Sequence, residues 1–256
     1  MPSGITPKRI TVSRASLLLG LLVAGYQAIL HAQTEPPAKP WALTADFGLV
    51  STAGNTNVTT INVKEGFTWL EDGWGITQTF NALYSTNEGE TSANLWQAGV
   101  RGERRLGGRW RAYGLLTFTR NPFAGVDRRF EETIGVLVRP IDTPRDSLEF
   151  DIGASLAQQW VPDTNERLDF GSARLAAGYR HFFREKAYIL ATALVLPHLQ
   201  HAEDVRFAGE VALGAPLTNH FAIKASYQFI YDNVPDGDAD TGKVDRYLTA
   251  SVQVRF

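Results

Sequence analysis

The sequence contains no cysteine, no long apolar run suited to a membrane helix, and no excess of basic charge. Without cysteine, disulfides, thiolate metal sites and cysteine nucleophiles are all excluded. The longest apolar run after the N-terminal region is YILATALVLPHL, which is shorter than the roughly 20 residues of a spanning helix and contains Pro197. The formal net charge of −2 gives no basic surface for nucleic acid.

The N-terminal segment has the pattern of a secretory signal peptide. Three basic residues precede the apolar run LLLGLLVAGYQAIL, and Ala32 follows as a small residue for cleavage. A membrane anchor is the alternative, but the strongly apolar core is much shorter than the roughly 20 residues that spanning requires. We expect residues 1–32 to be a signal peptide, residues 33–40 an extended periplasmic leader, and residues 41–256 the folded barrel.

From Trp41 onward the chain repeats one unit, an alternating apolar and polar segment followed by a turn. Period-two alternation is typical of strands with two different faces, and no helix-length stretch has a period of 3.6. The spacing leaves about ten residues for each strand, which is the length of a tilted strand across a membrane. The twelve segments are WALTADFGLV, TINVKEGFTW, WGITQTFNALY, NLWQAGVRGE, WRAYGLLTF, FEETIGVLV, SLEFDIGASLAQ, SARLAAGYRHF, YILATALVL, VRFAGEVALG, FAIKASYQFIY and YLTASVQVRF.

The connections between segments alternate in length. Those after even-numbered segments are tight, namely EDG, LGGR, DTPRD, REK and PLTNH. Most of those after odd-numbered segments are longer and polar, namely NEGETSA, NPFAGVDRR, VPDTNERLD and NVPDGDADTGKVD, although STAGNT and QHAED are short. This alternation predicts an all-β fold, a transmembrane up-and-down antiparallel β-barrel of twelve strands in the cell outer membrane, with the short turns in the periplasm.

Aromatic residues at strand starts support the membrane interpretation, because aromatic rings collect at the level of the lipid headgroups. A soluble two-sheet sandwich is the alternative, since large residues also favour ordinary strands. The residues expected in one belt are Trp41, Trp74, Trp110, Tyr188 and Phe221.

The face opposite the apolar one carries fifteen charges, which argues against a sandwich with a dry core. Unpaired ions cost several kcal/mol each when buried, so a hydrated lumen is expected. Glu65 and Gln78 fall instead on the lipid face, which indicates a register error, a bulge or a protein contact. The expected interior charges are Lys64, Arg101, Arg111, Arg139, Arg174, Arg180, Arg206, Lys224, Arg255, Asp46, Glu103, Glu131, Glu149, Asp151 and Glu210.

Several segments resemble the domain-of-unknown-function-481 family, described as salt-induced outer-membrane proteins. They are GLVSTAGNTNVTTINV, ALYSTNEGETSANLW, RNPFAGVDRRFEETIGVLVRPIDT and GKVDRYLTASVQVRF. The resemblance covers residues 41–256 and implies a Gram-negative outer-membrane barrel without an established activity. The terminal Phe256 after alternating apolar residues also resembles the signal read by the barrel-assembly machinery, which implies that machinery as a partner during biogenesis.

Residues capable of acid–base catalysis cluster at one place in the sequence. His198 and His201 lie near the end of the ninth segment, with Glu203 and Asp204 beside them. An outer-membrane hydrolase with a rim site near these histidines is therefore the alternative function. No serine or threonine is recognisably paired with them, so we assign no catalytic residue and expect no enzyme.

The loop DGDADTG places three aspartates two residues apart, as loops that bind hard cations do. They are Asp236, Asp238 and Asp240. Gly242 comes one position late for an EF-hand turn, and Tyr247 occupies the place of the bidentate carboxylate. A flexible acidic surface loop is the alternative, and we assign no metal and no cofactor.

We therefore expect a channel-like, porin-like or structural barrel with a charged, hydrated lumen. The nine basic and six acidic interior residues favour anions, but no solute is indicated. The resemblance adds a link to osmotic or salt stress, and a role of the longer loops as an adhesin or phage receptor is a third possibility. The expected surroundings are the outer-membrane bilayer, with the chain as a monomer and without nucleic acid.

Overall fold

A computed structural model of the chain describes residues 40–52, 58–122, 126–162, 164–183, 187–200, 205–233 and 244–255. The predicted signal peptide and most of the predicted leader lie outside these residues. Among the described residues, none belongs to a helix long and apolar enough to cross a membrane.

Twelve antiparallel strands form one closed barrel, as the alternation predicted. Each strand pairs with its neighbours in the chain, and β1 pairs with β12 from Thr44 opposite Arg255 to Phe47 opposite Val252. This closure leaves no free sheet edge. The strands are β1 Trp41–Thr52, β2 Val58–Glu71, β3 Trp74–Asn87, β4 Glu90–Gly107, β5 Trp110–Asn121, β6 Val126–Asp142, β7 Asp146–Trp160, β8 Arg167–Phe182, β9 Tyr188–Pro197, β10 Val205–Pro216, β11 Phe221–Asp232 and β12 Val244–Arg255.

The barrel is apolar outside and polar inside. Leu116, Ile134 and Leu156 are 61%, 73% and 68% exposed, whereas Arg101 and Glu210 are each 2% exposed. Water could not solvate such an exterior without a large hydrophobic penalty, so the strands cross a lipid bilayer. The soluble sandwich is thereby excluded.

The two ends of the barrel differ in the length of their connections. The five connections after even-numbered strands have two to five residues, and the six after odd-numbered strands have two to eleven. We call these the short-turn end and the long-connection end. In outer-membrane barrels the short turns face the periplasm, which orients this chain.

One connection expected to be long is a tight hairpin. NEGETSA was expected to be a loop, but β3 continues to Asn87 and β4 begins at Glu90. Glu88 and Gly89 form the turn with φ of 53° and 82°. Positive φ at both central residues matches the twist of the flanking strands, so the strands extend where a loop was expected.

Of the five residues predicted for the aromatic belt at the short-turn end, three are confirmed, one is wrong, and Trp41 is partly exposed at the start of β1. Trp74, Trp110 and Phe221 are about half exposed on the exterior. Tyr188 instead points into the barrel and is 3% exposed. It lies opposite Gly214, where a Cβ would overlap the Tyr188 ring, so glycine gives the ring its interior space.

Candidate functional site in the barrel interior

Fourteen of the fifteen predicted charges lie on the interior face, and the side chain of Arg255 is outside the described part of the structure. Seven of them form a cluster on β4 to β8 near the short-turn end, which we call the arginine cluster. Its members are Arg101, Glu103, Arg111, Arg139, Glu149, Asp151 and Arg174.

Arg101 connects distant strands within the arginine cluster. Its Nε lies 2.9 Å from Glu103 Oε1 on the same strand. Its Nη2 and Nη1 each lie 3.8 Å from a carboxylate of β7, Glu149 Oε1 and Asp151 Oδ2 respectively. Because β7 is three strands away from β4, the Arg101 side chain crosses part of the lumen.

Arg139 and Arg174 complete the pairing of the same carboxylates. Arg139 donates from Nε to Glu149 Oε2 at 2.6 Å and from Nη2 to Glu103 Oε2 at 3.3 Å. Arg174 donates from Nε to Asp151 Oδ1 at 3.3 Å. Charge-assisted bonds of this kind offset the cost of removing the ions from water.

Tyr113 holds Arg101 in place from one side. The guanidinium carbon of Arg101 lies 3.9 Å from the centre of the Tyr113 ring, and the hydroxyl donates to Asp151 Oδ1 at 3.2 Å. The ring lies against Gly135 and Gly153, which pair across β6 and β7. A Cβ at Gly153 would lie 2.6 Å from the Tyr113 hydroxyl oxygen, so both tyrosine and glycine are needed for this packing.

A second group, which we call the lysine cluster, lies at the junction of β1 and β12. Lys224 Nζ lies 3.6 Å from Asp46 Oδ2 and 3.8 Å from Glu210 Oε1. Gln253 donates from Nε2 to Asp46 Oδ1 at 2.8 Å, and Gln228 donates in the same way to Glu210 Oε2 at 2.9 Å. The bond from Gln253 to Asp46 joins the last strand to the first from inside the barrel.

An apolar patch separates the two clusters along one wall. Interior side chains of β9 contribute Leu190, Leu194 and Leu196, which are 1%, 2% and 8% exposed. Ala208 and Ala212 of β10 pack against them. The β9 segment is apolar on both faces because its inner face packs on small side chains rather than facing water.

The hydrated lumen expected from the sequence is not found at the level of the two clusters. Glu149, Arg101 and Asp151 are 0%, 2% and 4% exposed, and Glu210 and Lys224 are 2% and 3% exposed. The charges are accommodated by close pairing instead. Sequence reasoning could not choose between these solutions, because side-chain contacts across the lumen are not visible in a strand pattern.

The interior at the long-connection end contains a smaller charged group. Arg129, Glu131 and Arg206 lie there with His198, whose ring stacks on Phe170 at 5.6 Å between centroids. The sequence pattern missed Arg129. It shares a face with Glu131, but β6 begins at Val126, earlier than the predicted segment.

The alternative hydrolase site at the rim is only partly covered by the described residues. His198 accepts a hydrogen bond at Nδ1 from the backbone N–H of Gln200 at 3.2 Å. His201, Glu203 and Asp204 lie outside the described residues, so the hydrolase site stays a hypothesis. His181 lies at the short-turn end, where its Nδ1 is 2.7 Å from Asp146 Oδ1.

The loop predicted as a possible cation site is not part of the described structure. Asp236, Asp238 and Asp240 also lie outside the described residues. Within the described ranges, no group of three metal-ligating side chains is assembled.

The two polar residues expected on the lipid face, Glu65 and Gln78, form a hydrogen bond with each other. Gln78 donates from Nε2 to Glu65 Oε2 at 2.7 Å on the barrel exterior. The pairing of β2 with both neighbours shows no register shift, so neither a bulge nor a register error is involved.

Comparisons with known proteins agree with this architecture. The sequence profile of the family of proteins of unknown function DUF481 matches residues 45–256. The chain belongs to this family. The chain is also similar to the uncharacterized protein YdiY of Escherichia coli strain K12, at 21% identity over 250 residues that cover 96% of each chain.

A solved outer-membrane barrel shares the fold. An outer membrane channel from Pseudomonas putida F1 is similar with a TM-score of 0.56 and 9% identity, over 88% of this chain and 98% of that chain. The translocator domain of autotransporter NalP from Neisseria meningitidis has a TM-score of 0.48 and 14% identity, over 94% and 99% of the chains. With its apolar exterior and closed sheet, this chain is an outer-membrane β-barrel in contact with the bilayer.

Proposed function

We propose that the chain is a narrow outer-membrane channel that the arginine and lysine clusters close in the conformation described here. The observation that carries this proposal is the Arg101 side chain, which reaches from β4 to two carboxylates of β7 and is 2% exposed. A path along the barrel axis has to pass this level, and paired side chains occupy it.

The charged side chains of the two clusters favour a closed channel over a purely structural barrel. The β9 wall shows that this barrel can fill its interior with leucine and alanine. At the clusters it uses ion pairs instead, two of them at the loose distance of 3.8 Å around Arg101. Water and permeating ions can replace ion-pair partners when the pairs separate, whereas they do not solvate an apolar plug.

Planar-bilayer recordings test the proposal with a variant that clears the lumen, R101A/R139A. We expect small or infrequent current steps from the unmodified chain and a several-fold larger conductance from the variant, because two long side chains no longer cross the path. R104A is the control, since Arg104 lies outside the lumen over the Trp74 ring. Silence of all three proteins, each shown by circular dichroism to be folded, contradicts a channel and supports a structural barrel.

The resemblance to salt-induced proteins suggests a stimulus for opening. Screening shortens the reach of charges from about 10 Å at 0.1 M salt to about 3 Å at 1 M, once water reaches the ion pairs. We therefore propose that the open probability rises with ionic strength. Recordings across this range, normalised for bulk conductivity, test the idea, and an open probability independent of salt refutes it.

For processing and assembly, our proposal keeps the expectations from the sequence. We propose that residues 1–32 are removed on export, that residues 33–40 remain as a periplasmic leader, and that the barrel is inserted by the assembly machinery as a monomer without a catalytic role. N-terminal sequencing of the membrane-extracted protein tests the cleavage position. Mass photometry in detergent tests the oligomeric state.

A further inference from the structure

A row of tryptophan and arginine residues runs around the barrel exterior at the long-connection end. Trp96 pairs with Arg120 across β4 and β5. Arg128 pairs with Trp160 across β6 and β7, and Trp160 pairs with Arg167 across β7 and β8. We call these five residues the exterior rim row.

Arg120 joins the two parts of the row. The residue before it, Thr119, pairs with Arg129, and the register then shifts, so Arg120 faces the bulged start of β6 that contains Arg128. Neighbouring strands are about 4.8 Å apart, so the backbones of Arg120 and Arg128 lie side by side and both long side chains leave the same part of the exterior. Arg167 lies two strands further, about 10 Å along the row.

The Trp160 ring orients two of the arginines. The guanidinium carbons of Arg128 and Arg167 lie 4.9 Å and 5.6 Å from its centre. A guanidinium stacked on an aromatic face keeps its N–H edges directed sideways, where they can bind an oxyanion. Arg128 uses one donor for Asn165 Oδ1 at 3.2 Å, and Arg167 uses Nε for Asp169 Oδ1 at 2.7 Å.

Carboxylates neutralise this row only in part. Asp169 pairs with Arg167 at 2.7 Å, and Asp127 lies at the looser distance of 4.0 Å from Arg128. The side chains of Arg128 and Arg167 remain 43% and 48% exposed. The row therefore keeps positive charge and free N–H donors on the surface that meets the lipid headgroups.

Aromatic rings lie one step closer to the membrane centre on the same strands. The ring centroids of Phe118 and Phe130 lie 5.1 Å apart with the rings tilted by 52°, and Phe130 meets Trp160 edge-on at 6.2 Å. Phe80 meets Trp96 at 5.9 Å in the same manner. The surface thus presents cations at the level of the headgroups and flat apolar rings closer to the membrane centre. This arrangement matches a molecule with an anionic head and acyl chains.

We propose that the exterior rim row binds the phosphate groups of a phosphorylated lipid in the leaflet next to the long connections. Arg120 and Arg128 share one phosphate, and Arg167 binds a second phosphate or headgroup oxygen further along the row. Trp96, Phe118, Phe130 and Trp160 contact the acyl chains. The site is independent of conduction, because it lies on the opposite face of the strands from the lumen.

Native mass spectrometry of the detergent-purified chain tests this proposal with lipid A as the probe. The comparison is lipid A from which the phosphates have been removed while the acyl chains are kept. We expect the unmodified chain to retain the phosphorylated form at least about tenfold more tightly, because two or more charge-assisted contacts are lost with the phosphates. We expect R120Q/R128Q/R167Q to lose this preference.

The control variant is R104Q, which removes an exterior arginine stacked on Trp74 at the other end of the barrel. It should keep the preference for phosphorylated lipid, and unfolding midpoints should show that both variants are folded. Equal retention by R120Q/R128Q/R167Q and the unmodified chain overturns the proposal. So does displacement of the lipid by inorganic phosphate alone, which would indicate a site for free anions.

Discussion

Glu149→Gln tests whether the interior ion pairs are shielded from water as the structure shows. Glu149 is 0% exposed and accepts from Arg139 at 2.6 Å, with Arg101 at 3.8 Å. Glutamine keeps the shape but removes the charge and places a donor against arginine donors. The matched control is Asp169→Asn, because the pair between Arg167 and Asp169 has nearly the same length, 2.7 Å, at an exposed site.

The expected magnitudes differ because burial differs. Removing one partner of a buried pair leaves a charge without compensation and costs about 3–5 kcal/mol of the free energy of unfolding. Exposed pairs are screened by water and contribute about 0.2–1 kcal/mol. Glu149→Gln should therefore lower the unfolding free energy by about 3 kcal/mol or more, and Asp169→Asn by less than about 1 kcal/mol.

Urea unfolding of the barrel in lipid vesicles measures both values, with equal slopes showing that the unfolded states are comparable. A loss below about 1 kcal/mol for both variants would refute the reasoning. It would mean that water solvates the cluster as well as it solvates the rim, so the lumen would be open at that level and the closed-channel proposal would fail with it.

Two further substitutions probe packing and the lipid face by the same measurement. Gly153→Ala should cost about 1–3 kcal/mol through its clash with Tyr113, whereas Gly114→Ala, whose Cβ meets no atom within 4 Å, should change stability by less than about 0.5 kcal/mol. Equal effects would show that Tyr113 does not occupy this space. Replacing Glu65 and Gln78 together by leucine should raise stability by about 1–2 kcal/mol, since the pair faces lipid. A decrease would indicate that another protein covers the pair.

Most of the fold was predictable because a membrane barrel imposes a strict period. Each strand must turn apolar residues to lipid and polar residues inward, so the alternation in a segment such as NLWQAGVRGE predicts both the strand and its faces. Strand ends were less predictable. Glu88 and Gly89 form a tight turn through their backbone conformation, and the polar residues around them had the composition of a loop.

The sequence predicted which residues line the interior, but not whether their charges are hydrated or paired and buried. The alternation of side chains along each strand predicts that Arg101, Glu149 and Asp151 point inward. Tyr113 shares the face of Arg111 and could have been identified by the same rule. Arg129 was missed because its strand begins before the apolar pattern does. The position of Tyr188 at a strand start predicts the belt, but Tyr188 lies two residues from Leu190 and therefore shares its inward face.

By itself, the sequence determined that the chain is a twelve-stranded barrel with an apolar exterior, because side-chain alternation is a local property of extended backbone. Only the tertiary structure decided that the interior charges are paired and buried, since Arg101 on β4 meets Glu149 on β7, and Gln253 meets Asp46 across the barrel closure. It also decided that Trp96, Arg120, Arg128, Trp160 and Arg167 form one row. Contacts between residues distant in the chain depend on strand register and barrel closure, which no single segment encodes.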